Sequence, residues 1–190
     1  NLSATSKYLW CCGGDSQSFV FRVRLKDHRV EILDEAEIFP INTATAIHAL
    51  NDNFVIIGGD DGNIATYQNG VFNATFIPLT PPIVINSIKA ISETHWVVGS
   101  DVGIYVTFNA GAVWTKTYNS ESGCEISFHD EMLGYFANAL GVHRTTNGGL
   151  TWVKIFDGPG DIITGSALSS INPNRIFFSE YTTVFGSVIL

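Results

Sequence analysis

Basic residues are scarce in this chain of 190 residues: ten Lys and Arg stand against eighteen Asp and Glu, a formal net charge of −8. That shortage argues against nucleic acid or an anionic membrane as the main partner, since both are held by a basic surface that displaces counterions or meets lipid head groups. Long hydrophobic runs are missing as well. No stretch approaches the roughly 18 to 20 apolar residues of a spanning helix, so membrane insertion is not expected, and the N-terminus lacks a basic, apolar, small-residue signal pattern.

Cysteine is limited to Cys11, Cys12 and Cys124. Chain neighbours rarely bridge and an odd total leaves a thiol free, so no disulfide framework is expected, and no fourth soft ligand stands at zinc-site spacing. Burial as small core residues is the expectation, with a bridge from Cys11 or Cys12 to Cys124 as the alternative. The chain begins at Asn1 with no initiator Met, as a processed product or a piece of a longer chain would.

What is present is 45% hydrophobic residues and 18 Gly, with Val, Ile, Thr, Phe and Tyr in short runs between small polar residues. This composition suits strands and tight turns in one all-β domain. The segments "LWCCGGD", "FVIIGGDDGNIATY", "WVVGSDVGIYVTF", "LGYFANALGVHRT" and "RIFFSEYTTVFGS" each place a small-residue turn after an apolar run, and all but the first show a second run beyond it. Anchored at Gly14, Gly59, Ser100, Asn138 and Glu180, they recur at steps of 45, 41, 38 and 42 residues.

A period near 40 filled with short strands predicts a β-propeller of four-stranded antiparallel blades. The blades fall at about 1–39, 40–80, 81–120, 121–158 and 159–190. In the third, strands are expected over about 84–91, 95–100, 103–108 and 113–118; in the fourth, over about 124–128, 132–137, 141–145 and 152–156. The fifth blade lacks an outer strand, which "NLSATSK" at the N-terminus would supply in a closed five-bladed ring. The alternative is a fragment of a six- or seven-bladed ring.

The stretches "VTFNAGAVWTKT" and "RTTNGGLTWVKI" fall between the third and fourth strands of their blades. Asn can bond backbone groups two residues on, Gly supplies a positive φ, and Trp fills space between sheets. Thr107, Asn109, Gly111 and Trp114, and again Thr145, Asn147, Gly149, Thr151 and Trp152, resemble the Asp-box, or BNR repeat, of sialidase-like and sortilin-like propellers, with Asn for the usual Asp. Thr66, Gln68 and Gly70 keep the spacing, with Asn73 where Trp would stand. The resemblance implies a fold shared by enzymes, sorting receptors, assembly factors and phage or surface proteins.

For a sialidase, the resemblance would imply an arginine triad, a Tyr–Glu nucleophile pair and an Asp acid at the ring mouth. Arg22, Arg24, Arg29, Arg144 and Arg175 instead fall mostly within strands or beside the Asp-box. A glycosidase needs two carboxylates across a cleft, and Asp60, Asp61, Asp101 and Glu180 sit on corresponding turns of different blades. Their competing reading is as solvated turn residues. His48 lies on an expected innermost strand and lines the channel or packs; "GGDDGN" at 58–63 suggests calcium but has no later Glu of an EF-hand loop. No cofactor or metal site is expected.

Strand alternation gathers Asp15, Asp34, Glu35, Glu37, Asp60, Asp61, Asp101, Glu121, Asp157, Asp161 and Glu180 on one face of the disc. A single-sign face can steer a basic protein surface or simply keep the chain soluble. The resulting expectation is a non-enzymatic structural or interaction propeller: a scaffold, an assembly factor, or a virion or cell-surface component with protein partners. Its composition favours an extracellular, cell-surface or virion setting. The alternative is a propeller that binds or cleaves glycans at the ring mouth.

Overall fold

Each short apolar run becomes a strand because a turn former closes it before a helix could pay back its nucleation cost. The structure is a computed structural model that describes residues 1–14, 18–33, 43–78, 82–120, 123–157, 169–172, 175–178 and 186–189. The first sheet holds β1 (Leu2–Ala4), β2 (Tyr8–Gly13), β3 (Phe19–Arg24) and β4 (Val30–Ile32) in that order. The second holds β5 (Ala44–Asn51), β6 (Phe54–Gly59), β7 (Asn63–Gln68) and β8 (Val71–Phe76), with a single 3-10 turn, Asp60–Gly62, inside it.

The third sheet runs β9 (Ile85–Ala90), β10 (Trp96–Ser100), β11 (Gly103–Thr107) and β12 (Thr115–Asn119). The fourth runs β13 (Glu125–Phe128), β14 (Gly134–Asn138), β15 (Gly141–Thr145) and β16 (Val153–Asp157). Three strands form the last described sheet: β17 (Ser169–Asn172), β18 (Arg175–Phe178) and β19 (Gly186–Ile189). All pairings are antiparallel between consecutive strands, and the sheets are the blades of a β-propeller.

One expectation fails. The residues ahead of "YLWCCGG" do not complete the last sheet; they form β1 of the first, with Leu2 opposite Cys11 and Ala4 opposite Leu9. The hydroxyl of Ser3 fixes them there by accepting from the Ala49 N–H of β5 at 2.9 Å.

The middle strands are buried on both faces, which explains why "FVII", "WVV" and "GYFA" read as unbroken apolar runs. Alternate residues serve opposite neighbours. Val55 and Ile57 of β6 join Trp10 and Val20 of the first sheet, while Phe54 and Ile56 join Ile88, Trp96 and Val98 of the third. Val97 then turns the other way, joining Ile126 and Phe136 of the fourth. The fourth strands β8, β12 and β16 contain no buried residue. Cys11, Cys12 and Cys124 form no disulfide and are buried, as expected of small core residues.

The first strands of successive sheets neighbour one another: β1 packs on β5, β5 on β9, β9 on β13 and β13 on β17. They form the inner wall of the disc. Repeated hydrogen bonds hold its two faces. On one face the turn between third and fourth strands donates to the first hairpin of the same sheet, as Asn69 N to Asn53 O, Ala110 N to Thr94 O and Gly148 N to Met132 O, each at 3.0 Å.

Candidate functional site

The two Thr–Asn–Gly turns have the same internal wiring. Thr107 Oγ1 donates to Asn109 Oδ1 at 2.9 Å and accepts from Gly111 N at 3.1 Å, while Val113 N donates to Asn109 Oδ1 at 2.8 Å. Thr145, Asn147, Gly149 and Thr151 repeat these contacts at 2.9, 3.0 and 2.9 Å. Gly111 and Gly149 lie at φ 84° and 92°, where a side chain would strain the turn. Trp152 packs on Phe136 at 4.9 Å and donates its indole N–H to Thr117 Oγ1 of the preceding sheet. Trp114 packs on Trp96 of its own sheet and against the core cluster shared with the second sheet. Both turns therefore fold a blade and join it to its neighbour.

At Thr66, Gln68 and Gly70 the chain does something else. Asn69 and Gly70, at φ 51° and 91°, make a two-residue hairpin between β7 and β8. Asn73 is simply an exposed residue of β8.

On the opposite face the aspartates form clasps. Asp60 Oδ1 accepts from Thr43 N at 3.2 Å while Asp60 N donates to Thr43 O. Asp101 Oδ1 accepts from Val84 N at 3.1 Å while Asp101 N donates to Val84 O. Each ties the second turn of a blade to the residue leading into its first strand. Asp61 is exposed at φ 58° and makes no clasp. Glu180, with Asp15, Asp34, Glu35, Glu37, Glu121 and Asp161, lies outside the described residues. Arg22 and Arg24 share Glu31 at 2.7 and 2.9 Å, and Arg29 sits 3.5 Å from Asp27.

The inner wall carries a cluster of titratable groups that only His48 announced in the sequence. His48 of β5, Lys89 of β9 and Glu125 of β13 come from three successive first strands. His48 Nδ1 accepts from Ala90 N at 3.2 Å, and Ser87 Oγ accepts likewise from Ile126 N. A pocket of about 250 Å³ opens beside them, lined by His48, Lys89, Ala90, Phe128, Asp130 and Glu131 among others. It lies toward the face of the Thr–Asn–Gly turns, since Ala90 and Phe128 end their strands there. A second pocket, of about 570 Å³, follows the outer seam between the second and third sheets beside Phe76 and Trp114. Among the described residues no three His, Cys, Asp or Glu side chains come together as metal ligands.

Burial drives the protonation of this cluster and its neighbours. It pushes His48 down to about 3, with Lys89 adding to the effect, and His143, stacked 4.3 Å from Phe136, down to about 4. It lifts the Glu125 carboxyl to about 7 against the pull of Lys89, and it lowers Lys89.

A pH dependence follows. Between pH 7 and 5 the unfolded chain binds about two protons on these histidines, ordinarily near ~6.5, which the fold refuses. The fold binds about one on Glu125 that the unfolded chain does not. The unfolded state gains the excess, so stability falls as pH falls, by about 0.9 kcal/mol per unit near the middle of the range. Urea unfolding at the two pH values is the check; His143→Phe should flatten the dependence, and equal stability of the parent chain at both pH values would contradict the assignment.

No protein-family model matches the sequence, and no curated protein matches it. Solved structures do share its fold. The extracellular domain of a putative hybrid two-component system of B. thetaiotaomicron is 14% identical at TM-score 0.73, over 99% of this chain and 26% of that one. An ancestral GH74 enzyme is 16% identical at TM-score 0.63, over 99% and 30%. The WD40 β-propeller domain of Doa1 is 10% identical at TM-score 0.65, over 97% and 62%. This chain thus spans about a quarter of the length of the two-component protein's domain, and it is similar in fold to propellers both with and without enzymatic activity.

Proposed function

We propose that this chain is a non-enzymatic interaction propeller whose Thr107–Trp114 and Thr145–Trp152 turns are Asp-boxes serving the fold. The observation that supports this reading is the use of Asp60 and Asp101. Both carboxylates accept backbone N–H groups at the blade connections, and a carboxylate spent on holding its own chain is a poor acid or nucleophile for a glycosidic bond. A scaffold, an assembly factor, or a virion or cell-surface component fits a rigid ring that presents loops on two faces.

On the connection face, Asp61 remains a free exposed charge, and it is the residue through which a basic protein surface would be steered. Affinity purification of the tagged chain from its native source, with quantitative mass spectrometry, tests the reading. A protein recovered at fixed stoichiometry, and recovered less by Asp61→Lys at raised salt, is the expected result. Recovery of the chain alone, with the fold intact, would refute it.

A further inference from the structure

The pocket on the inner wall has a floor of two hydrogen-bond donors with no acceptor of their own. His48 Nδ1 is taken by the Ala90 N–H, so the neutral ring carries its proton on Nε2. Lys89 reaches the same pocket; its ammonium feels the charge of Glu125 but makes no hydrogen bond or contact ion pair with any described residue. A partly buried cation with no anion in contact is costly, and the cost falls when one joins it. Ala90, Ile91 and Phe128 add an apolar wall.

We propose that this pocket binds a small monocarboxylate. Its carboxylate accepts from His48 Nε2–H and Lys89 Nζ, and its short hydrocarbon body lies against Phe128 and Ile91. The Lys89 cation on the floor matches one negative charge, and His129 in the same lining already has an interaction of its own. Asp130 and Glu131 at the rim, and Glu125 on the next inner strand, disfavour a dianion such as sulfate or a phosphomonoester. The volume of about 250 Å³ lies below that of pockets for drug-sized ligands, which limits the body to a few carbons or one ring. This site stands on the face opposite Asp61 and does not depend on the partner reading above.

The test is a titration of histidine-labelled protein with acetate, propionate and benzoate, and separately with sulfate, followed by the imidazole nitrogen resonances. Saturable shifts at His48 are expected with the carboxylates, strongest for propionate or benzoate, and none with sulfate. Lys89→Met should weaken carboxylate binding at least tenfold, about 1.4 kcal/mol, while Lys89→Arg should retain it. No saturable shift in the parent chain would overturn the site, as would equal shifts with sulfate. A native-source purification that yields no partner would leave this outcome unaffected, so the two readings fail separately.

Discussion

Gly103→Ala is expected to destabilise the chain by about 3 kcal/mol or more, a large part of the ~5–15 kcal/mol that holds a domain folded. Gly103 opens β11 directly after the tight turn from β10, at φ 148°. A Cβ there would lie 2.1 Å from the Tyr118 carbonyl oxygen and 2.8 Å from Lys116 Cε. The carbonyl belongs to the paired strand β12 and cannot retreat without breaking the ladder; the Ser100 hydroxyl also grips Gly103 N and O at 3.1 and 2.9 Å. Gly70→Ala is the control. Gly70 also has a positive φ, 91°, but nothing lies within 4 Å of its added Cβ, so only the backbone cost of about 1 kcal/mol applies. Urea midpoints of the two variants measure the difference, and equal losses would mean that the contact with Tyr118 is not as tight as described.

Phe136→Ala should cost about 3–5 kcal/mol, the range for a fully buried Phe whose site cannot collapse. Phe136 is 0% exposed. Its ring stacks on His143 and meets Tyr118 and Trp152 edge-on at 4.7 and 4.9 Å, so its loss opens the seam between the third and fourth sheets from both sides. Leu140→Ala, at a side chain 56% exposed in the next turn, should stay within about 0.5 kcal/mol. A small change at Phe136, read by the same denaturation curves, would contradict the packing of these two sheets.

Strands and their grouping were legible because burial on two faces leaves a local mark. "WVVGS" is apolar throughout for the reason that Trp96 and Val98 face one neighbour and Val97 the other. The Thr–Asn–Gly turns were legible because their wiring is local. The hairpin at Asn69–Gly70 was obscured by a matching spacing, although the Asn–Gly pair itself is the signal for a two-residue turn.

The inner wall was legible only at His48. Ser87, Lys89 and Glu125 sit in three-dimensional register only once neighbouring blades are placed side by side, and no short spacing announces that. The aspartates misled for a related reason. Asp60 and Asp101 each bond a residue 17 positions earlier, so their occupation by backbone N–H groups is invisible to a reading that sees only solvated turns or candidate acids.

The most direct test of an interaction ring rather than a glycan-cleaving one is reducing-end release from a panel of polysaccharides by the purified chain, run beside the double variant Asp60→Asn, Asp101→Asn. The account predicts no release above the blank from either protein. Release by the parent chain that disappears in the folded variant would contradict it, and would assign Asp60 and Asp101 to catalysis instead of to the clasps.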